Sequence, residues 1–253
     1  MKSTDSVTIG IIHPGSIDAV LALNLVQIAK IKGSHFSEFI QVQGKGQIAR
    51  NRNKIVVEFL RQTNSEWLLM IDSDEALPIT AYKKLVDTAD DRTRKIVSAL
   101  VFADFEDENG NKRPIPTIYF HTPETGNVAI DAYPDNQVLE VDAVGTGCLL
   151  IHRSILLDIQ KNVTAHQGAD WCWFFEGAIN GIWFGEDLLF SKRMKSLGHS
   201  IFVHTGAIVP HHKDYWLDER HHAPIRDHSL SLLAEQHSTS SVPLAEDVPP
   251  HRR

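Results

Sequence analysis

The sequence predicts an α/β fold, a mostly parallel central sheet flanked by helices in a single domain. Three observations predict it. Val7 to Ile12 is a β-branched strand that turns at His13-Pro14-Gly15 straight into a helical pattern, Ile17 to Ile31, opening a βαβ unit. Trp67-Leu68-Leu69-Met70-Ile71 is apolar without alternation, as in a strand buried on both faces beneath helices. A length of 253 residues, 42% hydrophobic and 23% charged, suits one soluble domain of this kind.

Ser16 is placed to cap the first helix and Gly33 to end it. The turn before that helix lacks Gly-x-Gly-x-x-Gly, so no dinucleotide fingerprint is present. Phe39 to Val42 reads as a short second strand with Gly44-Lys45-Gly46 as its exit loop. The helix that follows, Gln47 to near Leu60, sets Ile48, Val56 and Phe59 on one face with Arg52 among them. A guanidinium on an apolar stripe needs a buried carboxylate or a ligand phosphate, unless it snorkels to the rim.

Asp72-Ser73-Asp74-Glu75 follows the Trp67 strand, at the carboxyl edge where open α/β sheets bind ligands. Two Asp separated by one residue can aim hard oxygen ligands at one Mg²⁺ or Mn²⁺; an acidic loop opening the next helix has the same composition. Pro78 closes the loop, Thr80 to Ala89 reads as a helix and Lys95 to Phe102 as another buried strand. Residues 103–137 lose the pattern, with a hairpin turn at Glu106 to Asn111 and an edge strand from Thr117 to Phe120. Leu139 to Ile151 reads as one strand kinked at Gly145-Thr146-Gly147, by a bulge or by the close approach of a ligand or another backbone.

Ser154 to Ile159 gives a short helix. Ala169 to Glu176 gathers Trp171, Trp173, Phe174 and Phe175, suited to stacking on sugar rings or to packing in a core. Gly185-Glu186-Asp187 opens a helix ending at Gly198, and its macrodipole favours those acids with or without a chemical role. His199 to His204 is the last strand, leading to Pro210-His211-His212. Residues 1–220 are expected to form the domain and 221–253 a tail, partly docked or flexible, in which Leu230 to Leu233 can form a short helix.

A formal charge of −7 speaks against broad adhesion to nucleic acid. Cys148 and Cys172 form no metal-type spacing and no disulfide framework. The amino terminus lacks a signal-type apolar stretch, and no window approaches the roughly 20 apolar residues of a membrane span. The expectation is a reduced, cytoplasmic protein.

On Ile9 to Gly15, Ile48 to Lys54, Trp67 to Pro78, Val144 to Ile151, Gly185 to Phe190 and Val209 to His211, the chain resembles a known family. It is similar to the nucleotide-sugar-dependent glycosyltransferases of the GT-A (Rossmann-like) fold, particularly the small family-2-like enzymes of bacteria and their phages. The resemblance spans about residues 7–213. It implies a hexosyltransferase-like enzyme moving a sugar from a UDP- or GDP-linked donor to a hydroxyl of a saccharide, a protein or a modified nucleobase. It implies the host cytoplasm as the location if the chain is phage-encoded. Asp72-Ser73-Asp74 matches the family's DxD element, which holds Mn²⁺ or Mg²⁺ against the donor diphosphate, and His211 matches the histidine that completes the metal site.

His13, Pro14, Gly15, Arg50, Arg52, Ser73, Gly145, Thr146 and Gly147 are implied on the donor side, and Trp171 and Trp173 on the acceptor side. Asp187 is implied as the general base of an inverting transfer, with Glu186 as its support or an acceptor contact; a retaining transfer would remove that role. Two other readings stay open. A nucleotidyltransferase of similar fold is a poor match at His13-Pro14-Gly15-Ser16, and a silent nucleotide-sugar-binding module has no need of a Glu-Asp pair. A phosphatase with an Asp-x-Asp nucleophile would resemble Asp-x-Asp-x-Thr, whereas position 76 is Ala.

Overall fold

The computed structural model describes residues 1–2, 5–44, 46–106, 112–122, 126–162, 172–179, 181–213 and 216–239. The chain runs β1 (Val7–His13), α1 (Ala19–Lys30), β2 (Phe36–Gln43), α2 (Ile48–Gln62), β3 (Trp67–Asp72) and α3 (Ile79–Thr88). It continues through β4 (Ile96–Glu106), β5 (Lys112–Pro116), β6 (Ile118–Thr122), β7 (Gly126–Ala129), β8 (Val138–Val141), β9 (Ala143–Val144) and β10 (Cys148–His152). Then come α4 (Arg153–Asn162), β11 (Gly177–Ile179), β12 (Ile182–Phe184), α5 (Glu186–Ser196), β13 (Ile201–Val209), β14 (His211–His212), β15 (Trp216–Leu217) and α6 (Glu219–Thr239).

β2, β1 and β3 pair in parallel, and β10 lies antiparallel between β3 and β4. β13 runs parallel to β4, and β8 closes the far edge antiparallel to β13. The carboxyl ends of β1, β3, β4 and β13 therefore share one edge of the sheet. β3 explains its own apolar run: Trp67, Leu68, Leu69 and Met70 have no exposed surface. Leu68 and Met70 share a core with Ile55 and Phe59 of α2 and with Ile155 of α4. Trp67, Leu69 and Ile71 share the opposite core with Leu21 and Ile28 of α1 and Leu85 of α3. Strand alternation thus sends one unbroken apolar run into two cores. α2 seats closely on β1, where a Cβ at Gly10 would stand 2.5 Å from Ile55 Cγ2.

Several local expectations are corrected. Asp18 caps α1 in place of Ser16: its Oδ1 accepts from Val20 N at 2.7 Å. The Asp18 N–H is held by the Ser73 carbonyl at 2.9 Å, which keeps residues 16–18 outside the helix. The stretch 139–151 is three strands rather than one. β8 pairs with β13 at the sheet edge, β9 with β6, and β10 enters the sheet centre. Residues 103–137 are more regular than expected, because β4 folds back on β5 and β6 pairs with β7. Of the turn expected at Glu106 to Asn111, Glu106 ends β4 and residues 107–111 lie outside the described residues.

α6 far exceeds the short helix expected at Leu230 to Leu233, and those leucines are exposed. Its first turns anchor it instead. His222 is fully buried against the rings of Phe102 and Tyr133, and Arg226 pairs with Glu219 and Asp135. The expected boundary at 220 falls inside α6, and residues 240–253 of the expected tail lie outside the described residues. Among the described residues no helix is long and apolar enough to cross a membrane.

Buried Asn53 ties α2 to the segment that precedes α5. Its Oδ1 accepts from the N–H groups of Trp173 (2.8 Å) and Phe174 (2.9 Å), and its Nδ2 donates to the Phe174 carbonyl (2.6 Å). Asn53→Ala strips these backbone groups of their partner, at about 1–3 kcal/mol for each that stays dry. The expected loss is about 3 kcal/mol in urea unfolding, and a loss below about 0.5 kcal/mol would mean that water takes over the contacts.

Candidate active site

Three elements meet at the carboxyl edge of β3, and Arg52 joins them. It projects from the buried face of α2 and is 3% exposed. Its Nη2 donates to Asp72 Oδ2 at the end of β3 (3.0 Å), and its Nε to Glu186 Oε1 at the start of α5 (3.1 Å). The remaining nitrogen, Nη1, is buried without a hydrogen-bond partner among the described residues. A guanidinium has five donor hydrogens, so this one keeps capacity for a further anion. The anion that the sequence demanded for Arg52 is therefore, first of all, a pair of protein carboxylates.

β14 brings His211 against the acidic loop. Glu75 and His211 form a backbone bridge, and His212 N donates to the Asp74 carbonyl at 2.7 Å. His211 Nδ1 donates to the Phe102 carbonyl (2.9 Å), so Nε2 faces Asp74 Oδ2 at 3.1 Å. Lys213 Nζ lies 3.3 Å from the same oxygen. Although burial opposes it, the hydrogen bond and charge of His211, with the charge of Lys213, hold the Asp74 carboxyl down at about 2.

Its neighbours are perturbed the other way. Glu75 is 1% exposed, its Oε2 has no hydrogen-bond partner among the described residues, and burial with the nearby Asp72 and Asp74 charges pushes its carboxyl well above the usual range. Asp72 is raised by burial, with Arg52 pulling against the rise. Asp187, in the first turn of α5, accepts from Leu188 N at 2.7 Å. Burial and the adjacent Glu186 charge nevertheless raise its carboxyl to about 6. Tyr119 of β6 is raised to about 12 by burial and, less, by the Asp187 charge.

Asp72, Asp74, Glu75, Glu186 and Asp187 thus gather around Arg52, Lys213 and His211, an excess of negative charge that suits a bound cation. Among the described residues no three ligand side chains converge on one point. Asp74 and His211 do fit a divalent ion as a pair. With Nδ1 committed to a carbonyl, a cation between Nε2 and the carboxylate would replace the proton they share. Asp72 already has Oδ2 committed to Arg52.

The other expected site residues divide. His13 ends β1 at the same sheet edge, followed by Pro14 and by Gly15, whose φ of +136° favours glycine and whose N–H meets His13 Nδ1 at 3.2 Å. Ser73 lies in the acidic loop, its carbonyl holding Asp18. Gly145 and Gly147 are crowded by protein: a Cβ would stand 2.8 Å from Thr117 at the first and 2.7 Å from Glu75 Oε1 at the second. Thr146 between them is buried, and its Oγ1 has no hydrogen-bond partner among the described residues.

Two assignments are corrected. Arg50 is exposed and bonds Gln47 Oε1 at 3.1 Å, since two residues from Arg52 is about 200° around the helix. Trp173 is 2% exposed and donates its Nε1–H to the Leu156 carbonyl at 2.8 Å, so it belongs to the core rather than to an acceptor wall. Trp171 lies outside the described residues. Glu75, Lys213 and Tyr119 received no role from the sequence. Only Glu75 left a signal, an acid between the sheet edge and the buried pair Ala76-Leu77.

Arg52→Met leaves Asp72 and Glu186 without their shared counter-charge. The expected destabilisation in urea at neutral pH is about 3–5 kcal/mol. It should shrink near pH 4, where protonation relieves the stripped carboxylates; a pH-independent loss would trace it to packing instead.

No protein-family profile matches the chain, and no curated protein matches it. Its fold is similar to that of A197 from STIV, at 16% identity and a TM-score of 0.56, over 85% of this chain and 91% of that one. GalNAc-T7, solved with UDP, GalNAc and Mn²⁺, aligns at 12% identity and a TM-score of 0.43, over 81% of this chain and 43% of that one. The fold class is the expected one: a single α/β domain, GT-A-like, with a mixed and mostly parallel sheet between two layers of helices.

Proposed function

We propose that the chain is a metal-dependent glycosyltransferase, moving a sugar from a UDP- or GDP-linked donor to an acceptor hydroxyl. The observation that carries this reading is the partly satisfied guanidinium of Arg52, set among an excess of carboxylates at the sheet edge. A donor diphosphate supplies the anion that Nη1 lacks. Asp74 and His211, with Asp72 beside them, would hold Mn²⁺ or Mg²⁺, which offsets the charge of the departing diphosphate. Thr146 Oγ1, buried and without a partner among the described residues, is a further donor contact, and His13 to Gly15 border the same edge.

Asp187 acts as the base. It takes the acceptor's proton as that oxygen bonds to the anomeric carbon, while the bond from this carbon to the diphosphate oxygen breaks and the diphosphate keeps the electron pair. Burial leaves the carboxyl ionised at neutral pH yet more basic than an ordinary aspartate, which transfer to a hydroxyl needs and simple binding does not. Glu186 is a positioning residue, holding the start of α5 to Arg52.

Incubation with Mn²⁺ and a panel of nucleotide sugars should release nucleoside diphosphate; release of pyrophosphate, or no metal-dependent nucleotide binding at all, would sink the reading. Asp187→Asn should lower kcat by about 10²–10⁴ with donor affinity unchanged. In the wild type, kcat/KM should fall about tenfold per pH unit below about 6, as Asp187 takes up its proton, and level off above. A flat acid limb would remove Asp187 from the base role.

A further inference from the structure

We infer that Asp18 and His212 form a latch that aims His211 at Asp74, and so sets how tightly that pair holds a divalent cation. The inference rests on the transferase reading and names what positions its metal site. Both are positioning residues, acting through His211 and the acidic loop.

The cap of α1 orients the latch. Asp18 Oδ1 accepts from Val20 N at 2.7 Å, which leaves Oδ2 to meet His212 Nδ1 at 3.0 Å. The Asp18 side chain is 16% exposed, so this contact is less screened than a surface pair. Two backbone bonds then close a ring: Asp18 N donates to the Ser73 carbonyl (2.9 Å), and His212 N to the Asp74 carbonyl (2.7 Å). A residue that only capped a helix would need one carboxylate oxygen. Here the second oxygen reaches across 194 positions of sequence to the strand that carries His211.

The ring acts on the metal pair through the roll of β14 about its own axis. His211 and His212 are consecutive strand residues, so their side chains leave opposite faces. One face sends His212 to Asp18, and the other sends His211 to the Phe102 carbonyl and Asp74 Oδ2. β14 is two residues long and pairs with a β15 of two residues. A ribbon so short fixes its own twist weakly, which leaves side-chain ties to decide where each face points. Held at His212, β14 presents His211 Nε2 to Asp74 at 3.1 Å. Released there, it rolls and takes the imidazole out of line. A divalent ion tolerates errors of only about 0.2 Å in ligand distance, so the roll is read as lost affinity.

The test titrates the full chain with Mn²⁺ alone, following free Mn²⁺ by electron paramagnetic resonance. Asp18→Ser keeps the helix cap, but its hydroxyl, one bond shorter, cannot also reach His212. His212→Phe removes the ring nitrogen, whereas His212→Asn places an amide N–H near the position of Nδ1. The His212 side chain is 40% exposed, so its variants leave the fold intact. Asp18→Ser and His212→Phe should each weaken Mn²⁺ binding about tenfold, the usual effect of removing a partner that orients a metal ligand. His212→Asn should retain most of the affinity, and thermal midpoints should stay close to that of the wild type. The double variant Asp18→Ser/His212→Phe should bind no more weakly than the weaker single one, because both break the same contact. Unchanged affinity in Asp18→Ser, or losses that add in the double variant, overturns the latch and leaves the metal site standing. A wild type that binds no Mn²⁺ at millimolar concentration removes the metal site, and the latch with it.

Discussion

One buried guanidinium holds this site in place. Arg52, Asp72 and Glu186 come from α2, β3 and α5, segments far apart in the chain, and two hydrogen bonds from a single side chain fix their relation. Arginine cannot shed its charge to escape burial, so the carboxylates must stay near it. Removing such a charge from water costs several kcal/mol, which two close partners offset. Everything else at the edge is arranged around that bond. The acidic loop starts where Asp72 is held, and α5 starts where Glu186 is held.

The same residue type then takes different states within a small space. Asp74 sits against a lysine and a histidine and is held strongly acidic. Asp187 is partly buried next to Glu186 and is made more basic than an ordinary aspartate. Glu75 is shut away from solvent beside two further carboxylates, and its carboxyl is pushed well above the usual range although Lys213 and Arg52 pull against the rise. Environment, not sequence identity, divides the roles: one acid suited to binding a cation, one suited to taking a proton, one filling a dry corner.

Much of the architecture was legible because its signals are local. The unalternating run from Trp67 announces a strand buried on both faces, and Arg52 on an apolar stripe announces a partnered charge. The misread parts depend on contacts between distant segments. Residues 139–142 alternate apolar and acidic and Cys148 to Ile151 are apolar throughout, both strand-like, but neither pattern shows that three successive pieces take three different neighbours. Gly145 and Gly147 are small because Thr117 and Glu75 press on them, which no local pattern encodes. Trp173 has the aromatic character of a sugar platform and of a core residue alike, and the Leu156 carbonyl decides for the core. Arg50 carries the same charge as Arg52 two positions away, yet helical rotation turns it to solvent.

The central position of β10 has a consequence for how the molecule comes into being. β1, β2 and β3 form one parallel block and β4 and β13 another, and β10 is the strand that bridges them. Its pairing partners are made early in synthesis, but the strand itself lies past residue 147, after two hairpins. Until it inserts, the end of β3 and the end of β4 have no fixed spacing, and the Phe102 carbonyl that orients His211 has no settled place beside Asp74. Long-range pairing of this kind closes slowly, since a large loop must be ordered before any contact rewards it. The sheet edge that carries Asp74 and His211 therefore depends on a late-made strand, and a nascent chain halted before β10 would carry its acidic loop without its partners.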